Sequence, residues 1–224
     1  ENNLVRQLGD HESIYDHETL NGNILLSRVL KISMPKQYSI NASIVNKALE
    51  IWIKRHPLLQ SYIHREREDN LEDIKIKSPK YFVYMNKSIS EYNNIEYLTT
   101  KGDSNSSIRL LENEFIQPFD NINGPLWRMK IIKIEEDTKE ESGDDENRYD
   151  FIFSVHHGIS DGRNCFTIMQ QFFNILGCLM QDTTCEDMNG EIEFPKHCAE
   201  YLFDELKKRP NFVHSKAEYQ NLDN

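Results

Sequence analysis

Tyr149-Asp150-Phe151-Ile152-Phe153-Ser154-Val155-His156-His157-Gly158-Ile159-Ser160-Asp161-Gly162 is the stretch from which this chain is read. Tyr149 to Val155 alternates apolar and polar side chains and predicts a strand that ends at two histidines. Cys165 to Met180 predicts an amphipathic helix, with Phe166, Met169, Phe172, Phe173 and Leu176 on one side in a stripe whose ordinary meaning is core. At such a junction a side chain is held by the strand yet stands at an open edge, which suits a general base. An ordinary imidazole, with a pKa of about 6.5, is largely neutral at pH 7 and accepts a proton from a hydroxyl, amine or thiol. Asp161 stands where the helix begins, able to cap its amides or pair with an arginine. Gly162 permits positive φ or close backbone approach.

Three readings fit these residue types: a capped helix after a strand with incidental histidines, a metal site, and a proton-transfer site. No metal is expected. Neighbouring residues of a strand point to opposite faces and do not easily ligate one ion, and the HExxH helical spacing is absent.

His156 to Gly162 spells HHxxxDG, and the stretch resembles the signature of the acyltransferase superfamily that includes chloramphenicol acetyltransferase, condensation domains of nonribosomal peptide synthetases and alcohol O-acetyltransferases. Three further stretches are similar to that superfamily in order and spacing. Arg6-Gln7-Leu8-Gly9-Asp10-His11-Glu12 resembles the Arg-x-Leu-Gly-x-x-Glu opening of its alcohol acetyltransferase branch, and Arg55-His56-Pro57-Leu58-Leu59 the superfamily's RHPxL segment. Pro118-Phe119-Asp120 with Gly124-Pro125-Leu126-Trp127-Arg128 resembles its PFD…GPLWR segment. The resemblance implies a chloramphenicol acetyltransferase-like α/β fold in the α+β sandwich sense, a mixed and largely antiparallel sheet with flanking helices.

It further implies that His157 is the base that deprotonates an acceptor hydroxyl or amine for attack on an acyl thioester, acyl-CoA being the expected co-substrate. His156 would be a positioning residue. Asp161 would be structural, held by an arginine for which Arg55, Arg128 and Arg163 are the candidates. Gly162, Arg55 and Arg128 complete the expected structural motif, and Cys165 and Ser160 are bystanders. Gln60 stands where condensation domains carry an arginine, which favours the alcohol-acyltransferase branch; Asn164 departs from a frequent serine. No tightly bound cofactor is expected.

The longer branches of the superfamily use two such domains in one chain, and residues 1–181 resemble the N-terminal one. Residues 182–224 are expected to be a crossover or tail toward a missing or separate second half. The partner is then a second half-domain chain or another copy in a homo-oligomer, beside a small-molecule substrate. The alternative is a non-catalytic protein that holds a hydrophobic small molecule such as a lipid or pigment in the channel of this fold.

At 224 residues the chain suffices for one substantial domain. Its net charge of −11 and lack of a basic stripe argue against nucleic-acid binding. Much of the acidic excess lies in Glu135 to Glu146, which reads as a solvated loop joining two antiparallel strands. No apolar stretch is long enough to span a membrane, and the cytoplasm is the expected location. Cys165, Cys178, Cys185 and Cys198 form no CxxC pair, and Cys165 and Cys178 are expected to be buried thiols.

Elsewhere Leu25 to Ile32 predicts a strand broken by Pro35, and Ser39 caps a helix that Pro57 ends. Leu59 to Ile63 and Ile74 to Tyr84 predict strands. Ser104 or Ser106 opens a helix with Ile108, Leu111 and Phe115 on its inner face. Leu126 to Ile134 predicts a strand, and Ala199 to Leu206 a last helix.

Overall fold

The alternation that runs into the histidines is the middle of a strand, and the rest of the chain supplies what that strand pairs with and packs against. In chain order the elements are β1 (Leu4–Gln7), α1 (Asp10–Leu20), β2 (Leu25–Pro35), α2 (Ala42–Arg55), β3 (Ser61–Arg65), β4 (Lys80–Tyr84), β5 (Ile95–Lys101), α3 (Ser106–Ile116), β6 (Trp127–Glu135), β7 (Glu146–His156) and α4 (Gly162–Met180). Short 3-10 turns occur at Pro57–Gln60, Ile89–Glu91 and Glu186–Met188. The structure, a computed structural model, describes residues 4–20, 25–65, 79–92, 94–101, 106–135, 146–190 and 192–195. The expected strand segment 74–78, the interior of the acidic run, the helix expected over 199–206 and Cys198 lie outside these. Residues up to Phe194 belong to one compact unit and Pro195–Asn224 to a second, of which Pro195 alone is described. The first unit thus extends past residue 181: within it Ile192 N donates to Arg55 O at 3.0 Å, and the Phe194 ring lies 6.1 Å from that of Phe82.

β7 lies inside a sheet of order β2-β7-β6-β5, antiparallel to β2 and β6, while β5 joins β6 in parallel. A smaller sheet, β1-β4-β3, is antiparallel throughout. This is the mixed, largely antiparallel α/β arrangement that the sequence predicts.

The pleat of β7 sends Tyr149, Phe151, Phe153 and Val155 into the core shared with α2 and α4. Trp52 of α2 is fully buried at its centre, edge-on to Trp127 at 5.5 Å, Phe153 at 5.6 Å and Phe172 at 5.4 Å. Its Nε1 donates to Ile168 O at 2.7 Å, so the indole is buried without an unpaired donor. The alternate set on β7, Asp150, Ser154 and His156, faces the other way and is also buried.

There α3 meets the sheet through polar groups. Ser107 donates to Asp150, and Glu114 pairs with Arg128 at 2.9 Å and Lys130 at 3.3 Å. This reverses the expected inner face of α3: Ile108 and Phe115 are exposed, while Ser107 and Glu114 are buried. The cations on β6 decide the matter, because a buried carboxylate with two cationic partners outweighs the preference of two apolar side chains for the interior.

Other boundaries also differ. Pro35 does not break β2 but ends it, opposite Glu146 on an edge strand where a missing N–H is tolerated. Asn41, not Ser39, caps α2, its Oδ1 accepting from Ile44 N at 3.0 Å. Leu59 belongs to the turn that Pro57 opens, and β3 starts at Ser61.

Candidate active site

The side chains around the histidines come from α1, from the turn after α3 and from β3 and β4. Arg6 and Glu12 pair through two hydrogen bonds of 2.7 and 2.6 Å, and Glu12 Oε2 also accepts from Gly9 N at 2.7 Å. A carboxylate in the first turn of a helix that takes up an amide just before it satisfies a donor the helix leaves open. Leu8 is buried, and its N–H donates to Lys80 O at 2.8 Å. The Arg-x-Leu-Gly-x-x-Glu stretch is therefore a brace that fixes the start of α1 to β4.

So fixed, α1 delivers consecutive residues to consecutive histidines. The Tyr15 ring stacks on that of His157, centroids 4.1 Å apart and planes at 21°. Asp16, fully buried, accepts from Asn121 Nδ2 at 2.7 Å, and that Nδ2 lies 3.2 Å from His156 Nε2. Arg65 Nη2 sits 2.9 Å from both oxygens of Asp16, and Lys80 Nζ lies 2.8 Å from Oδ2. Burial alone would push the Asp16 carboxyl up, but the Lys80 hydrogen bond and the charges of Arg65 and Lys80 outweigh it and hold the pKa below the usual carboxylate value.

His156 is fully buried, with its ring edge toward Phe119 at 6.1 Å. Burial lowers its pKa to about 4, against the opposing pull of Asp16, so at pH 7 the ring is neutral. Gly158 N donates to its Nδ1 at 2.9 Å. A neutral imidazole has one lone-pair nitrogen, so it accepts from Gly158 or from Asn121, not from both. Gly158 is required sterically as well: a Cβ there would lie 2.9 Å from His156 Nδ1.

His157 follows the last residue of β7, so the strict alternation of the strand no longer governs it, and α1 meets both rings. It is half-buried, and its Nδ1 meets no hydrogen-bond partner among the described residues. Of the two histidines, His156 is thus the fully buried, neutral one, while His157 is half-buried and held by stacking, its Nδ1 a buried atom without a partner among the described residues. Among the described residues no three His, Cys, Asp or Glu side chains converge as a metal site needs.

Asp161 is the N-cap of α4, Oδ1 accepting from Asn164 N at 2.6 Å, and it is exposed. None of the expected arginines pairs with it. Arg55 reaches Asn189 O and Asp187 at 3.7 Å. Arg128 is spent on Glu114, on the carbonyls of Gln117 and Pro118, and on the Phe119 ring at 4.3 Å. Arg163 is exposed on α4. The arginine at this corner is Arg28 of β2, whose Nη2 donates to Gly162 O at 3.1 Å. Cys165 beneath it is buried, and burial pushes its thiol pKa up.

The two remaining motif stretches are scaffolding for the same place. Asp120 Oδ1 accepts from Asn123 N at 3.0 Å, shaping the turn that presents Asn121. Gly124 has φ +57°, and a Cβ there would lie 3.0 Å from Tyr62 Cβ. Trp127 Nε1 donates to Leu59 O at 2.9 Å, tying GPLW to RHPLL. Gln60 turns back on α2, donating to Ile53 O at 2.9 Å. Tyr15, Asp16, Arg28, Arg65, Lys80 and Asn121 are the residues around the candidate site that sequence reasoning missed. A cleft of about 490 Å³ lies elsewhere, between α2 and the end of β4, lined by Lys54, Gln60, Met85 and Tyr92 among others.

Comparison with known proteins gives the class of this fold. The first condensation domain of the calcium-dependent antibiotic synthetase, in complex with a substrate analogue, superimposes with a TM-score of 0.64 at 12% identity, over 92% of this chain and 46% of that one. A variant of the starter condensation domain of rhizomide synthetase, in complex with C8-CoA, gives a TM-score of 0.60 at 13% identity, over 90% of this chain and 41% of that one. The chain has the chloramphenicol acetyltransferase-like fold of the condensation domains, at less than half their length.

In sequence it resembles segments of two peptide synthetases. Gramicidin S synthase 2 of Brevibacillus brevis is 38% identical over 68 residues, 30% of this chain and 1% of that protein. Tyrocidine synthase 2 of Brevibacillus parabrevis is 21% identical over 169 residues, 75% of this chain and 4% of that protein. No family model matches the chain. No helix among the described residues is long and apolar enough to cross a membrane.

Proposed function

We propose that this chain carries the base-bearing half of an acyl-transfer site. His157 takes the proton of an acceptor hydroxyl or amine as the acceptor oxygen or nitrogen attacks the carbonyl carbon of an acyl thioester. The tetrahedral adduct then collapses, breaking the carbon–sulfur bond, and the departing thiolate recovers the proton from the imidazolium. The observation that carries this reading is the contrast between the two rings. His156 is fully buried and neutral, accepting from Gly158 or Asn121, whereas His157 is half-buried just past the strand end and held by stacking on Tyr15.

The donor is acyl-CoA, used as a co-substrate with no tightly bound cofactor, and the acceptor is a small molecule. His157 is partly open to solvent here, and a second half-domain chain or a second copy of this chain closes the channel over it. His156 positions, Asp161 caps α4, and Gly162 with Arg28 holds the corner.

The test is release of free CoA thiol from octanoyl-CoA by the assembly as isolated, with a panel of alcohols and amines as acceptors. His157→Ala should lower the rate by about 10²- to 10⁴-fold. A loss under about tenfold, or a stoichiometric apolar ligand found by mass spectrometry with no thioester turnover, overturns the reading.

A further inference from the structure

We infer that Tyr15 is a positioning residue for His157: its ring fixes the plane of the imidazole and its π face stabilises the imidazolium formed when His157 takes a proton. The inference rests on the acyl-transfer reading for its purpose, and on geometry for its content. The two rings are stacked at 4.1 Å and 21°. A cation over an aromatic face within about 6 Å of the centroid is attracted by the ring quadrupole. With Nδ1 unpaired among the described residues, no hydrogen bond orients the imidazole through that atom, and Tyr15 is the described side chain stacked on it.

The backbone of Tyr15 is itself held. Thr19 Oγ1 donates to Tyr15 O at 2.6 Å, the next residue is Asp16 with its two cations, and one turn earlier Glu12 is clamped to Arg6. The ring therefore stands on a helix that does not shift when His157 changes charge.

Several charged groups on the surrounding elements have other partners or are exposed, and α1 also carries Asp10, His11, His17 and Glu18. On α1, Glu12 is paired with Arg6 and Asp16 with Arg65 and Lys80. On β7, His156 is neutral by burial. At the start of α4, Asp161 caps the helix and Arg163 is exposed, while Arg28 of β2 binds Gly162 O. The phenol face is thus the feature suited to support a charged ring without a permanent salt bridge that would hold the proton too tightly for return to a thiolate.

The experiment is an NMR titration of His157 in the full chain, with its resonance assigned by loss in His157→Gln, alongside the octanoyl-CoA assay. Tyr15→Leu should lower the His157 pKa by about half a unit and kcat by about tenfold, with KM for octanoyl-CoA within about twofold. Tyr15→Phe, which keeps the face, should restore both. Unchanged titration and unchanged kcat in Tyr15→Leu overturn the inference. If that variant does not fold, the unaltered chain decides: ring current from Tyr15 should move the His157 Cε1 proton upfield, and an unshifted position overturns the inference. A shifted titration in a chain with no thioester turnover removes the acyl-transfer reading and keeps the stacking. Turnover that needs His157 but ignores Tyr15 does the reverse.

Discussion

Asp16→Asn isolates the charge at the centre of the site while nearly preserving its shape. The carboxylate is fully buried, with Lys80 Nζ at 2.8 Å, Arg65 Nη2 at 2.9 Å and Asn121 Nδ2 at 2.7 Å. Replacing it with an amide leaves Lys80, itself only 5% exposed, as an uncompensated buried cation and turns one acceptor into a donor facing donors. Removing one partner of a buried pair typically costs about 3–5 kcal/mol, a large part of a net stability of about 5–15 kcal/mol. With a urea m-value of about 2 kcal/mol per M, the unfolding midpoint should fall by about 1.5–2.5 M. Adding Lys80→Met should recover part of the loss, because Arg65 remains partly exposed and needs the carboxylate less. Acid should mimic the substitution. The folded pKa is below the unfolded one, so the stabilisation is complete above the unfolded value and disappears as pH falls through the folded one. A midpoint shift under about 0.3 M, or no recovery in the double variant, would refute the claim that this carboxylate neutralises the two cations.

Two further outcomes follow from the same packing. Gly158→Ala should destabilise by about 1–3 kcal/mol, read as a lowered Tm, and should move the ring resonances of His156, because its Cβ would come within 2.9 Å of Nδ1; an unperturbed His156 would contradict the contact. His56 and His156 both have folded pKa values lowered to about 4 by burial, so unfolding takes up protons between about pH 6.5 and 4. Stability should decline across that window as pH falls, and His56→Gln should reduce the slope of the midpoint against pH; an unchanged slope would exclude His56 as a contributor.

Much of the fold is legible because its central elements obey simple periods. α4 and β7 carry apolar side chains at helical and alternating spacing, and Met169, Phe172 and Leu176 of α4 are buried as that spacing predicts, whereas Phe166, expected with them, is exposed. α1 gives no such signal. Among its described side chains the fully buried ones are Asp16 and Thr19, so Asp10-His11-Glu12-Ser13-Ile14-Tyr15-Asp16-His17-Glu18-Thr19-Leu20 reads as a polar segment. β5 is a half-exposed edge strand, mostly outward-facing, and its parallel pairing with β6 depends on a crossover that local pattern does not encode. The two histidines and Asp161 are candidates by residue type and spacing. Arg28 was missed because the pairing of β2 with β7, not proximity in the chain, brings it to Gly162. Asn121 had a clue in the turn chemistry after Phe119-Asp120, but nothing local says that its amide meets a carboxylate from α1.

The single turn of α1 that carries Tyr15 and Asp16 has an evolutionary consequence. One residue neutralises interior charge and its neighbour touches the outer ring, so selection for foldedness alone would act on the same turn that meets His157. A descendant under that selection would be bound to keep Asp16, and with it the helix on which Tyr15 stands.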